Sequence, residues 1–282
     1  MKSYVFAGVM GCSVAVSLVV LAGCAAGTDR GGSESAHVES KDEGRKPVEF
    51  KEGMTKQEKL YLAAEMGTLA QVRELVEDGA SLEAYSDDGM TALMYAASNN
   101  EDPEVCRYLV GSGASIEQAS EKYKSRPLMF ALRNNTSVDV ILELIKLGAD
   151  VNARDSEGWT PLMYAVNYEP ELVVSRRLLE AGAEIDAREE DGQTALMIAA
   201  YNEEALAAIQ LLLDAGADTG LQDSDGNNAL MLGLIENANP DINMLLIEAT
   251  EDINASNTGG TTALIYAAAY EPEVRVVEAL LD

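Results

Sequence analysis

A single histidine, His37, stands among the 282 residues of the chain. It falls in a Gly- and Ser-rich stretch of mixed charge with almost no apolar pattern. Nucleophiles activated by an imidazole base, and metal sites built on imidazole ligands, need histidine inside a packed domain. Nothing after His37 can supply one. Basic residues are also scarce, with 20 Lys and Arg against 48 Asp and Glu and a formal charge of -28. Affinity for nucleic acid comes from cations that neutralise phosphates, so that class is excluded, and an anionic membrane surface is disfavoured on the same ground. The charge reads either as solubility through self-repulsion or as complementarity to a basic partner. The three cysteines, Cys12, Cys24 and Cys106, lie too far apart in role to form a disulfide framework. Cys106 reads as core filler on a helix. Asp223-Ser224-Asp225-Gly226 carries part of a calcium-loop pattern, but Leu221 stands where the first acidic ligand belongs, and the segment reads as a turn. No catalytic residue, cofactor or metal ligand is expected.

What the chain does have begins at its N-terminus. Lys2 precedes an uncharged apolar stretch from Tyr4 to Ala22. A positive start, an apolar core and small residues at the end describe a secretory signal. The stretch also approaches the ~20 residues that span a bilayer, so an uncleaved anchor is the alternative. Leu21-Ala22-Gly23-Cys24 resembles the lipobox of bacterial lipoprotein signal peptides. The resemblance implies cleavage after residue 23, acylation of Cys24, and attachment to the cell envelope facing the periplasm. Ala25 after the cysteine favours the outer membrane. Each buried acyl CH₂ contributes about 0.8 kcal/mol, so several acyl chains anchor firmly. Residues 1–23 are then a signal peptide. Residues 24–52 form a flexible tether, because they bury too little surface to offset the entropy of ordering.

From residue 53 onward the chain repeats. Thr91-Ala92-Leu93-Met94-Tyr95-Ala96-Ala97 recurs at Thr160, Thr194 and Thr262, with weaker copies at Arg126 and Asn228. The key leucines, at 93, 128, 162, 196, 230 and 264, are spaced by 35, 34, 34, 34 and 34 residues. A Gly-Ala pair keeps the same phase at Gly79, Gly113, Gly148, Gly182 and Gly216, and a further glycine does so at Gly89, Gly158, Gly192, Gly226 and Gly260. These residues resemble the ankyrin repeat, whose core reads Thr-Pro-Leu-His-x-Ala-Ala with a later Leu-Leu-x-x-Gly-Ala. The resemblance implies an all-α repeat solenoid of helix-turn-helix units with β-hairpin fingers. About seven repeats are expected (53–86, 87–120, 121–154, 155–188, 189–222, 223–255 and 256–282), the last incomplete. Threonine suits the N-cap of the first helix, and Pro127 and Pro161 suit its first turn. Gly182 suits a left-handed helix end, and Asp191-Gly192 a finger turn.

The departures from the pattern carry expectations of their own. The family period is about 33, so most repeats hold one extra residue, placed between the helices where Pro103, Pro170, Pro240 and Pro272 open the second helix. Methionine at 94, 129, 163, 197 and 231 replaces the usual histidine with apolar filler. The third repeat has Tyr123-Lys124-Ser125 in place of the finger glycine. The sixth has Thr250-Glu251 where Gly-Ala belongs, which predicts a distorted helix end and the weakest interface of the stack. The seventh repeat stops at Asp282 without a cap, which implies either that the natural chain continues or that this end frays.

The resemblance implies that a partner binds through the finger tips and the exposed side of the first helices. The residue after each finger turn is expected at a tip, which puts Trp159 and Gln193 there. Asn134, Tyr168, Tyr201, Asn202 and Tyr270 follow on the first helices. Tyr95, Phe130, Tyr164 and Tyr266 are expected in the core or at its edge. The expected function is a monomeric, non-catalytic module that binds a protein partner, basic if the charge is complementary. It touches the membrane only through its lipid. A structural spacer or self-associating element, and a regulator or inhibitor of an envelope enzyme with a basic site, are the alternatives.

Overall fold

The computed structural model describes residues 45–135, 137–168, 172–236, 239–270 and 273–281. Cys24, the signal peptide, His37, Pro170 and Pro272 lie outside the described residues, as does most of the tether. No helix among the described residues is long and apolar enough to cross a membrane.

Among the described residues, seven helix pairs follow one another. The first helices are α1 (Lys56–Met66), α3 (Ala92–Asn99), α5 (Pro127–Asn134), α7 (Pro161–Tyr168), α9 (Ala195–Ala200), α11 (Ala229–Glu236) and α13 (Ala263–Tyr270). The second helices are α2 (Leu69–Glu77), α4 (Pro103–Gly111), α6 (Val138–Lys146), α8 (Val173–Glu180), α10 (Leu206–Asp214), α12 (Pro240–Ala249) and α14 (Val274–Ala279). Each first helix packs on its own second helix and on the first helix of the next pair. The stretches beginning at Leu93, Leu162 and Leu196 are alike and stacked in order, which makes the array one continuous slab. Leu60, Leu93, Leu128, Leu162 and Leu196 are buried along it with Met94, Met129, Met163 and Met197. Each pair leaves an apolar side open that only its neighbour can cover, so the repeats stabilise one another by burial.

Local chemistry sets the helix ends. Thr91 and Thr194 accept from the backbone N–H groups of Met94 and Met197. The methionines are more than filler, because the N–H of Thr91 and of Thr160 donates to Sδ of Met94 and Met163 at 3.4 Å. Gly182 ends α8 with φ +90, and the next N–H, that of Ala183, returns to the Leu178 carbonyl at 2.9 Å. In the sixth repeat, Thr250 ends α12 in an extended conformation, and its hydroxyl donates to the Leu246 carbonyl at 2.7 Å.

The extra residue has a structural use. In the second repeat it makes the connection Asn100-Glu101-Asp102, where the first repeat has only Gly67-Thr68. Asn100 is fully buried, and its amide donates to the carbonyls of Ala64 at 2.9 Å and Gly67 at 3.3 Å in the preceding repeat. Its own carbonyl receives the amide of Asn135, at 2.8 Å, from the following repeat. The two side chains thus tie three successive repeats together.

The second-helix layer is thinnest between α8 and α10 rather than at the sixth repeat. Leu172, which precedes α8, is held at φ +59, and α8 starts one residue later in its repeat than α4, α6, α10 and α12. Val173 and Leu206 remain exposed there.

The spacing of 35 between Leu93 and Leu128 arises in the finger at 120–125, one residue longer than its counterparts. With no glycine available, Lys124 takes the left-handed conformation at φ +56. A side chain in that region costs roughly 1 kcal/mol. Lys124→Gly is therefore expected to stabilise the array by about that much, read as a higher midpoint in urea unfolding.

Residues 45–50, counted with the tether by composition, lie on the first helix pair. The Val48 backbone exchanges two bonds with the Gln71 side chain, at 2.9 and 2.8 Å. Phe50 packs on the core under Lys59, and Arg45 donates to Asn100. The folded unit thus begins at least eight residues before position 53.

Candidate functional site

The loops that join one repeat to the next form a row of fingers. In each, the first residue pairs through its backbone with the last. The N–H of Asp155 donates to the Trp159 carbonyl at 3.2 Å, and that of Glu189 to the Gln193 carbonyl at 3.0 Å. A side-chain acceptor on the first residue fills the loop: Asp155 Oδ1 accepts from the N–H groups of Glu157 at 2.9 Å and Trp159 at 3.0 Å. This is an Asx-type turn, in which a short carboxylate satisfies backbone donors that a loop would otherwise leave open. The expected hairpins are reduced to these turns. Among the described residues the only bridge is the isolated pair Ser256 and Thr262.

Neighbouring fingers are joined by one backbone bond each. Glu121, Ser156, Glu190, Ser224 and Thr258 donate to the carbonyls of Gly89, Tyr123, Glu157, Asp191 and Asp225, at 2.8–3.1 Å. Rigid spacing along the row follows, because each loop is fixed both internally and to the one before it.

Tyrosines tie the fingers down to the first helices. Tyr164 donates to Asp155 Oδ2 at 2.6 Å, Tyr95 lies 3.0 Å from the Ser86 hydroxyl, and Tyr266 lies 2.9 Å from Asn257 Nδ2. Each pair is nine residues apart in sequence. Burial, followed by the bond to Asp155, pushes the Tyr164 hydroxyl far above its ordinary range. Burial alone is the largest cause at Tyr95, raised to about 12. The Tyr164 and Tyr95 hydroxyls therefore stay protonated and donate to Asp155 and Asp88, whereas the Tyr266 hydroxyl accepts from the Asn257 amide.

Trp159 closes its finger rather than capping it. The tip belongs to residues 156–158, and the half-buried indole lies against Tyr164 with ring centroids 5.1 Å apart. Tyr164 is 7% exposed. It also stacks on Tyr168 at 6.2 Å, and Tyr168 is 50% exposed at the end of α7. The three rings form one run from the finger to the end of the first helix. Gln193 and Tyr201 pair in the next repeat, amide to hydroxyl at 3.0 Å, both half-buried. Asn134 is exposed and donates to Ser98 Oγ at 2.9 Å, while Asn202 Oδ1 accepts from the Glu204 N–H and so serves the turn after α9. Tyr270, 57% exposed, stacks on Tyr266 three repeats beyond Tyr168. The fold thus unites Trp159 with Tyr168, and Gln193 with Tyr201, and leaves Asn134 and Tyr270 apart.

Cys106 is fully buried on α4. Burial first, then Asp102 and Glu143, push its thiol up to about 12, so it is no thiolate at neutral pH. Among the described residues, no group of three His, Cys, Asp or Glu side chains could hold a metal ion.

The chain matches the family described as Ankyrin repeats in three copies, over residues 46–120, 128–223 and 196–282. It belongs to the ankyrin-repeat family. Among solved structures, the ankyrin repeat domain of Bcl-3 superposes with a TM-score of 0.68 at 28% identity, covering 82% of this chain and all of that one (100%). The ankyrin repeat domain of human ASB11 gives 0.66 at 21% identity, over 79% of this chain and 96% of that one, a likeness of fold alone. The palmitoyltransferase Hip14 of Drosophila melanogaster is 35% identical over 96 residues, which are 34% of this chain but 15% of that protein. Ankyrin repeat and SOCS box protein 6 of Mus musculus is 30% identical over 101 residues, 36% of this chain and 24% of that protein. The transferase similarity is to an ankyrin region and not to a catalytic domain. Ankyrin repeats are in general protein–protein interaction modules, and the fold is typically non-catalytic.

Two features of this ankyrin array escape a reading by motif. Tyr164 bridges finger and helix while completing the aromatic run, yet its position suggests only core. The pairs Ser86 with Tyr95, Asp155 with Tyr164 and Asn257 with Tyr266 were the available signal. Buried polarity is the other. Asn243, on α12, occupies the slot held by Cys106, Ile141 and Ile209 in other repeats. It fits because Gly233 stands where the neighbouring repeats have Ala199 and Ala267; a Cβ on Gly233 would lie 2.8 Å from Asn243 Oδ1.

Proposed function

We propose that the chain is a non-catalytic interaction module, held at a bacterial cell envelope on the periplasmic side by acylated Cys24. Its partner is a protein that docks on the face made by the fingers and the first helices. The observation that carries this reading is the run from Trp159 through Tyr164 to Tyr168, which ends in a half-exposed ring on a rigidly spaced row of fingers. Exposed aromatic rings on a fixed support are favoured anchors, because they bury a large area at little conformational cost.

The test uses the full chain as bait against an envelope extract, with Trp159→Ala and Tyr168→Ala beside the wild type. Wild type should retrieve partners that both variants lose. Equal retrieval by all three would remove the face from the argument. Labelling with radioactive palmitate tests the anchor: incorporation should vanish in Cys24→Ser, and incorporation that persists would refute it.

A second reading, self-association, is favoured by the exposed apolar side chains Ile265, Tyr270, Val274 and Leu281 on the last helix pair. Light scattering separates the two. A mass that rises with concentration, without any heterologous partner, supports self-association.

A further inference from the structure

The central fingers hold acids that take no part in the ion pairs of the described residues. Glu157, Glu190 and Asp191 are exposed, and none of the ion pairs among the described residues uses Glu157, Glu189, Glu190 or Asp191. Other bases are close by, with Lys122 and Lys124 on the preceding finger and Arg133 acting on the Tyr164 hydroxyl beside Glu157. Arg154 donates to the carbonyl of Arg188, and Arg188 donates to the carbonyls of Gly192 and Gln222. These guanidiniums brace the finger backbone and are not bonded to the carboxylates.

The acids adjoin the aromatic run. Glu157 is on the same finger as Trp159 and acts electrostatically on the Tyr164 hydroxyl. Glu190 is on the next finger, its N–H bonded to the Glu157 carbonyl at 3.1 Å. Two chemistries that hold the same ligand therefore sit side by side. An aromatic face attracts a cation within about 6 Å of its centroid. A carboxylate accepts charge-assisted bonds from a guanidinium or ammonium.

We propose that Tyr168, Trp159 and the carboxylates of Glu157 and Glu190 seat an extended, arginine- or lysine-bearing segment of the partner protein. This rests on the reading of the finger face as the docking surface and adds the chemistry of what docks. Ring contacts of 5.1 and 6.2 Å separate Trp159 from Tyr168. An extended strand advances roughly 3.3 Å per residue and turns alternate side chains to one face, so cations four residues apart can face the open ring and the finger acids together. Arginine suits the ring better than lysine, because its planar guanidinium stacks and is more weakly hydrated. The net charge of -28 steers such a segment toward the array but does not choose the place on it.

Trp159 is the only tryptophan, so its emission reports on this site directly. The probe is an acetylated octapeptide carrying three arginines, titrated into the full chain. Its counterpart carries citrulline, which has nearly the same shape and no charge. The arginine peptide should change Trp159 emission saturably, more weakly at high salt, and the citrulline peptide should bind at least about tenfold less tightly. Tyr168→Ala should weaken the arginine peptide about fivefold. Glu157→Gln with Glu190→Gln should weaken it by about tenfold. Glu74→Gln with Glu77→Gln, two exposed acids on α2, should change nothing. Equal binding of arginine and citrulline peptides overturns the cationic assignment; the docking face survives if Tyr168→Ala still weakens both. If the two charge variants weaken binding equally, and Tyr168→Ala not at all, the peptide reads net charge only and the proposal fails. All five substituted side chains are exposed, so the variants should keep the wild-type circular dichroism.

Discussion

Gly226→Ala should be among the most damaging single-atom additions the array can receive, lowering stability by about 3 kcal/mol. Two independent effects combine. Gly226 has φ +81, a left-handed conformation in which a Cβ costs roughly 1–2 kcal/mol. The added atom would also lie 2.6 Å from the Thr258 nitrogen and 3.0 Å from Asn257 Cα, on the backbone of the next finger. Backbone cannot move aside as a side-chain end can. The next finger must shift, and with it goes the bond from the Thr258 N–H to the Asp225 carbonyl, now 3.0 Å. A bond of that kind contributes about 1 kcal/mol net. Gly216→Ala is the control, since Gly216 has φ +91 but nothing within 4 Å of its Cβ position. It should lose only the conformational part, about 1–2 kcal/mol. The measurement is urea unfolding of both variants, with hydrogen exchange to locate the loss. Since each repeat contacts only its neighbours, the loss should concentrate in the repeats from 223 onward. Equal destabilisation by the two substitutions would show that the close approach of the fingers does not matter.

This contrast shows where the sequence was transparent and where it was not. Gly226 is visible as one of five phase-locked glycines, and the turn it requires can be inferred from that phase. The neighbouring backbone that also forbids a side chain there is a tertiary fact, set by the spacing of whole repeats. Trp159 makes the same point. The glycine before it marks a turn, so the tryptophan looks like a tip residue. The pairing of the Asp155 N–H with the Trp159 carbonyl puts it at the closing position, where the ring turns onto Tyr164. Periodicity reports which side chains face the slab, because burial follows the 34-residue repeat. It is silent on contacts that use backbone groups or single polar side chains. The Arg45–Phe50 segment is the clearest case: its composition is that of a tether, yet two bonds to Gln71 and one aromatic ring fasten it to the first repeat.

Asn100→Ala should cost about 2–4 kcal/mol, far above a typical loop substitution. By composition Asn100 is an ordinary connection residue, yet it is fully buried. Its amide serves the carbonyls of Ala64 and Gly67 in the repeat before, and its Oδ1 accepts from the Asp102 N–H at 3.0 Å and from Arg45. Alanine would leave the Ala64 carbonyl and the Asp102 N–H without these partners, while the Gly67 carbonyl keeps Arg45, and an unsatisfied buried group costs about 1–3 kcal/mol. The loss also spreads. Arg45 loses one of its acceptors, keeping the Gly67 carbonyl and Glu101, and the turn that presents the Asn100 carbonyl to Asn135 loosens. Asn135→Ala should cost less, about 1–2 kcal/mol, because Asn135 is only half-buried. The two residues share a bond, so the double substitution should destabilise by less than the sum of the singles, a coupling of about 0.5–1 kcal/mol. Simple additivity in that cycle would mean that the asparagines act as separate caps. A shortfall would identify Asn100 and Asn135 as coupled links between the first three repeats. Those links would fix how these repeats meet, and so hold the spacing of the fingers on which any partner has to land.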